Sequence, residues 1–292
     1  SENEFTYLMN PALYLWNDTA AEVAQLAGAR ATFGSADKMM LGLTYMQTGQ
    51  EYVENAQEQI YGADLAMNIG KFKLAGEYAK SDADSDLTDY IGMAANGSPL
   101  DENNTAMNAN LSYDFGKLAL MGGYTKVEPN YFAPGSWSRA GAAVNLVNVK
   151  GMTAGMKLKL SDKFSLTGNA MFLEPDSEEG DTRARMAIFQ NGGPSVYGAY
   201  LDKLTTWKAD LKYGFGAKNT INLGYEEVIW EPIEGDNDKE RYYTIGFGHA
   251  FNPNSNLRLM YQVVDYDNGS LYPYGLTSFK GGVATAQVSL KY

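Results

Sequence analysis

The sequence predicts an all-β fold: a closed, antiparallel, up-and-down transmembrane β-barrel of about fourteen strands, filling residues 1–292 as a single domain. Three observations predict it. Apolar and polar residues alternate over segments of about ten residues, the length of a tilted membrane-crossing strand. Short turns and long polar connections follow one another in strict rotation, as they do when all tight turns lie at one end of a barrel. The alternation also runs to the last residue, in "VATAQVSLKY", where a soluble domain usually frays.

The strands are expected at 5–16, 20–34, 38–48, 58–69, 72–80, 105–115, 117–127, 151–160, 163–173, 204–213, 219–230, 240–251, 256–266 and 280–292. Pro11 interrupts the first, and a central strand tolerates proline badly. In 106–115, Met107, Ala109, Leu111, Tyr113 and Phe115 oppose Asn108, Asn110, Ser112 and Asp114. In 151–160, Met152, Ala154, Met156, Leu158 and Leu160 oppose Thr153, Gly155, Lys157 and Lys159. In 204–213, Trp207, Ala209, Leu211 and Tyr213 oppose Thr206, Lys208, Asp210 and Lys212. A helix would need apolar neighbours at i+3 and i+4, which these segments lack. Tight turns are expected at 35–38, 70–71, 115–117, 161–163, 214–219 and 252–256, rich in Gly, Asn, Asp and Pro. Longer loops fall at 49–57, 81–104, 128–150, 174–203, 231–239 and 267–279. A further hairpin within 174–203 would raise the count to sixteen.

Composition narrows the chemistry. There is no cysteine, so no disulfide or thiolate metal site is available. The single histidine, His249, leaves little room for His-based catalysis, and no metal, cofactor or enzymatic activity is expected. A net charge of -12 argues against nucleic acid as a partner. No stretch reaches the roughly 18 apolar residues of a transmembrane helix. The chain reads as a mature or trimmed form without a cleavable signal. Mean hydropathy of -0.34 is what a barrel averages when lipid-facing and lumen-facing residues alternate. The 21 tyrosines suit a membrane-water boundary. Rings near strand ends, Phe33, Tyr45, Phe72, Tyr113, Phe115, Phe164, Phe172, Tyr213, Tyr243 and Phe251, are expected to form two aromatic girdles.

With apolar faces toward lipid, the polar faces would line a passage. Alternation nominates Arg30, Lys73, Glu77, Asn108, Asn110 and Lys157. Lys159, Lys208, Asp210, Lys212, Glu226, Arg258 and Gln262 follow, with Asn169 and Asn222 among them. Both charge signs appear, which suits water and not a dry core. The same faces could be the wet side of a soluble sheet, so a soluble β-sandwich module is the competing reading.

Hairpin rhythm, loop asymmetry and the terminal "AQVSLKY" resemble bacterial outer-membrane porins over nearly the whole chain. A closer resemblance is to the barrel portion of OmpM-type porins, which carry an S-layer-homology domain before the barrel; no such domain lies within 1–292. The resemblance implies an outer-membrane location, outer-membrane lipid as a partner, a homotrimer, and passive diffusion of small hydrophilic solutes and ions. Net charge suggests a preference for cations. It implies an insertion signal at Val288, Leu290 and Tyr292. It also implies that the third loop on the long-loop side, which counted from the first strand is 81–104, enters the barrel, so that Asp82, Asp84, Asp86, Asp89 and Asp101 form a constriction. "DADSD" (82–86) lacks the glycine and glutamate of a calcium loop, with Leu87 and Met93 in their places. The alternative function is a structural or tethering barrel whose lumen is plugged. Alanines 27, 29 and 31 on one face of "QLAGARATFG" suit a trimer wall.

Overall fold

The computed structural model describes residues 23–35, 37–50, 57–83, 102–129, 131, 139–140, 143–144, 146, 148–176, 201–269 and 278–290. Six strands come first: β1 (Val23–Ser35), β2 (Met39–Gln50), β3 (Gln57–Ile69), β4 (Phe72–Ala83), β5 (Thr105–Asp114) and β6 (Leu118–Val127). A small hairpin follows, β7 (Arg139–Ala140) with β8 (Ala143–Val144). The remainder are β9 (Val149–Lys159), β10 (Phe164–Pro175), β11 (Leu201–Phe215), β12 (Asn219–Pro232), β13 (Asp238–Asn252), β14 (Ser255–Asp267) and β15 (Phe279–Leu290). The 13 long strands form one sheet in chain order, each antiparallel to the next.

Short and long connections alternate throughout, as expected. The tight ends use left-handed backbone that glycine adopts without penalty, as at Gly70 and Gly216, both at φ 62°. The described sheet is thirteen-stranded and open, where the expectation was fourteen and closed. An odd meander leaves β1 and β15 running the same way, so antiparallel closure requires a further strand between them. The predicted strand 5–16 lies outside the described residues, as does 177–200, where another hairpin was considered.

Cross-strand register carries each face continuously around the sheet. Arg30 pairs with Thr44, Thr44 with Gly62, and two residues on, Asp64 with Glu77 and Glu77 with Asn108. The other face is apolar and almost nothing covers it. Leu43, Leu111, Trp207, Ile245 and Leu259 all stand exposed there. Large exposed apolar residues on the strands occupy this face, save Leu26, Met121 and Phe279. A soluble sheet would bury such a face against a second layer.

Two aromatic girdles bound the apolar band. Near the tight turns, Phe72 meets Tyr113 with ring centroids 4.5 Å apart, and Phe164 meets Tyr213 at 6.0 Å. Nearer the long connections, Tyr45 meets Tyr61 at 5.4 Å, Phe172 meets Trp207 at 5.1 Å, and Tyr225 meets Tyr243 at 5.3 Å. Trp207 and Tyr213 are six residues apart, roughly 20 Å of strand. Beyond the second girdle the same face turns ionic: Arg241 binds Glu227 at 3.1 Å and Asp267 at 2.8 Å, and Lys280 binds Asp265 at 2.9 Å. Several strands therefore outrun their predicted ends, because ion pairs let the ladder continue past an apolar layer.

Candidate functional site: the polar wall

All fifteen nominated wall residues share the polar face. Lys157 pairs across Thr167 with Asp210, and Lys159 across Ser165 with Lys212. Lys208 faces Glu226, while Gln262 donates to the Thr244 hydroxyl at 3.0 Å. Arg258 pairs with Gln287. Lys73 pairs with Ser112, and Asn110 lies on the same strand face as Asn108.

Polar side chains lie flat where a neighbouring strand supplies glycine. Arg30 reaches over Gly42 of β2 to Asp64 of β3, with guanidinium-carboxylate contacts of 2.7 and 2.9 Å, and donates to Thr44 Oγ1 at 2.7 Å. A Cβ at Gly42 would collide with both the Asp64 carboxylate and the Arg30 guanidinium. Gly42→Ala is therefore expected to destabilise the fold by about 1–3 kcal/mol. Gly62→Ala on the same face, where a Cβ meets the Thr44 Cβ at an ordinary 3.6 Å, should cost much less. Urea unfolding in lipid vesicles compares the two; equal losses would remove the ion-pair explanation. Gly123 plays the same part for Asn110 and Thr153.

The two ends of the polar face differ. Lys73, Lys157, Lys159, Lys212 and Arg258, near the tight turns, are exposed. Near the long connections the polar face is buried on β2, β3 and β11 to β13, although the sheet is a single layer: Leu204, Val228, Trp230, Glu58, Asp238 and Thr48 are all at 0 %, while Leu26 and Phe279 on the outermost strands stay exposed. Burial of one face of a single sheet requires chain lying over it. Trp230 Nε1 donates to Glu240 at 2.8 Å, and the Tyr242 hydroxyl donates to the other Glu240 oxygen. Asp238 accepts from the Tyr266 hydroxyl at 2.8 Å and from the Gly269 amide at 2.9 Å. Both Glu58 oxygens and the Thr48 hydroxyl are buried without a hydrogen-bond partner among the described residues.

The connection from β6 to β9 is represented by a few described residues. Leu146 and Asn148 within it are buried. Tyr131, which follows β6, has its pKa pushed up to about 12 by burial and then by the carboxyl groups of Glu77 on β4 and Glu58 on β3. Its ring therefore lies toward the polar face of β3 and β4. Sequence reasoning missed this segment; its signal was "NYFAP" (130–134), aromatic residues inside a predicted polar loop. The predicted constriction acids fare differently. Asp82 belongs to β4, which runs three residues beyond its predicted end. It stands on the apolar-face register opposite Gln59, bound to Lys80 at 2.8 Å and to Asn104 Nδ2 at 3.1 Å. Asp84, Asp86, Asp89 and Asp101 lie outside the described residues.

At the rim, Glu128 ties β5 to the end of β6, accepting from the Thr105 amide at 2.9 Å, the Thr105 hydroxyl at 2.8 Å and Lys126 at 2.9 Å. Burial raises the Glu128 pKa, but the bonds from Lys126 and Thr105 outweigh it and hold the carboxyl below its ordinary value. A lowered folded-state pKa contributes stability above the ordinary glutamate value of about 4.3, and loses it as pH falls through the folded value. Hydrogen-exchange protection of the Thr105 amide should be flat at neutral pH and fall on acidification below that range. Glu128→Gln should remove the fall.

On the apolar face, Val288 and Leu290 are exposed at 64 % and 59 %, and Tyr292 lies outside the described residues. His249 sits at the tight-turn end, its Nδ1 2.7 Å from Asn219 Oδ1, in contact with Phe251.

No curated protein sequence matches the chain. Solved structures resemble it over most of its length at low identity. A porin refined at 1.8 Å resolution aligns with TM-score 0.49 and 11 % identity, covering 91 % of this chain and 92 % of that one. The outer-membrane channel DcaP of Acinetobacter baumannii aligns with TM-score 0.48 and 10 % identity, covering 92 % and 85 %. An anion-selective porin from Comamonas acidovorans aligns with TM-score 0.46 and 12 % identity, covering 93 % and 89 %. At such values their functions do not transfer to this chain. The family described as the β-barrel domain of S-layer protein SlpA matches residues 9–229, well over half of the sequence. A continuous apolar belt outside and a charged wall inside are what a membrane barrel needs, and the chain belongs to that S-layer β-barrel family.

Proposed function

We propose that the chain is an outer-membrane pore that passively conducts small hydrophilic solutes and ions. The observation that carries this reading is the division of faces: one bare and apolar between two girdles, the other studded with Lys, Arg, Asp, Glu and Asn. Closure of the barrel as fourteen strands, with 5–16 between β15 and β1, completes the proposal, since an open edge cannot stay in lipid. Net charge of -12 supports cation preference. Alanines 27, 29 and 31 on the apolar face of β1 support a trimer contact. The nominated wall residues would then line the lumen, with the passage narrowest beside Tyr131, Glu77 and Glu58.

Single-channel recording in a planar bilayer, with reversal potential under a salt gradient, tests this. Conductance steps with a cation-shifted reversal potential are expected, arriving in threes if the pore is trimeric. One observation favours a second reading, a structural or tethering barrel with a plugged lumen: the polar face is buried near the long connections. Stable insertion without conductance would select it.

A further inference from the structure

The polar faces of β9, β10 and β11 form a patch unlike the rest of the wall. Lys157 and Lys159 stand on β9, Lys208 and Lys212 on β11. Between them β10 presents Ser165, Thr167 and Asn169. Lys159, Ser165 and Lys212 form one cross-strand row, which puts the two lysine backbones about 10 Å apart. Lys208 and Lys212 are separated by four residues, about 13 Å along the strand. All four ammonium groups are on exposed side chains, and none makes an ion pair among the described residues. The carboxylate within the patch, Asp210, leans away from β10: its Oδ1 lies 3.0 Å from where a Cβ on Gly224 of β12 would stand. Glu226 borders the patch on β12.

Elsewhere on this wall opposite charges meet, as Arg30 meets Asp64. Here Lys159 and Lys212 stand in one row across Ser165, and the two lysine-bearing strands are held apart by β10 with its hydroxyl and amide groups, while Glu226 faces Lys208 at the border. A single monovalent anion would engage only one edge of such an array. A solute with two or more oxyanionic groups would engage both lysine rails, with hydroxyl and amide donors beneath it.

We propose that this three-strand patch binds small multivalent oxyanions, oligophosphates or polycarboxylates, from the tight-turn side. The assignment of the patch to a lumen rests on the pore reading; the binding itself does not. It gives the two ends of the wall different tasks. The exposed basic half takes anions, while much of the opposite half is buried.

Isothermal titration of the detergent-purified protein with sodium tripolyphosphate tests binding, and sodium citrate tests whether carboxylates serve as well. Saturable binding of either, weakened by added sodium chloride, is expected. Lys157→Gln, Lys159→Gln and Lys212→Gln together should weaken it about tenfold or more. A charge-matched control, Lys38→Gln, Lys71→Gln and Lys163→Gln in the tight turns, should bind like the parent. Heat-modifiable gel migration verifies that both variants fold. In a bilayer, tripolyphosphate should reduce conductance from one side only. No saturable binding, or equal binding by the wall variant and its control, would overturn the proposal. A protein that is silent in the bilayer yet binds tripolyphosphate through these lysines would sink the pore reading and leave the anion site standing.

Discussion

Trp230→Ala is expected to destabilise the barrel by about 3–5 kcal/mol, the range for deleting a fully buried large aromatic. Trp230 stands on the polar face of β12 at 0 % exposure, paired in register with the equally buried Leu204 and hydrogen-bonded to Glu240. Removing the ring opens a cavity where the covering chain meets the sheet, and removes a donor from a buried carboxylate. Trp230→Phe keeps most of the packing and should cost less, on the order of 1–3 kcal/mol, because Tyr242 still donates to Glu240. Urea unfolding in vesicles measures both. A loss below about 1 kcal/mol for the alanine variant would mean that little lies over this face. The buried half would then count for less against free passage.

Ile245→Lys should cost about 2–4 kcal/mol, the penalty for a cation at the lipid-facing midplane of a barrel. Ile245 lies between Tyr243 and Phe247 on the apolar face of β13 and is already 53 % exposed. On a soluble sheet an exposed isoleucine would accept lysine within about 0.5 kcal/mol. Asn222→Lys provides the comparison: its register row includes Gly246, next to Ile245, but it stands on the polar face. That variant should be nearly neutral. The contrast between them, in one assay, separates a membrane wall from a soluble one more cleanly than either alone.

The pattern of these outcomes follows what alternation can and cannot say. Alternation is a local signal with period two, so it assigns a side to each residue once a strand is granted. From Arg30 to Gln262 the polar-face assignments match the cross-strand register, and the girdle rings fall on the opposite face. Turn chemistry likewise placed the tight connections, because a two- to four-residue link leaves few backbone solutions. Strand ends were less legible. β4 continues through Asp82 and β11 starts at Leu201, since the ladder extends wherever polar partners can pair in water.

Which connection turns inward was not legible at all. The porin resemblance pointed to 81–104, most of which lies outside the described residues, whereas Tyr131 of the β6–β9 connection lies toward the polar face of β3 and β4. A loop is drawn over a wall by contacts with distant strands, such as Tyr131 toward β3 and β4, and no periodicity within the loop records them. The patch on β9–β11 has the same origin. Each lysine was visible as a wall residue, but their spacing across β10 exists only once three strands are in register. By itself the sequence determined the strands of the described sheet, their two faces and the apolar belt, because those depend on neighbours in the chain. Only the tertiary structure decided what covers the wall and which charges stand together, because those depend on residues tens of positions apart.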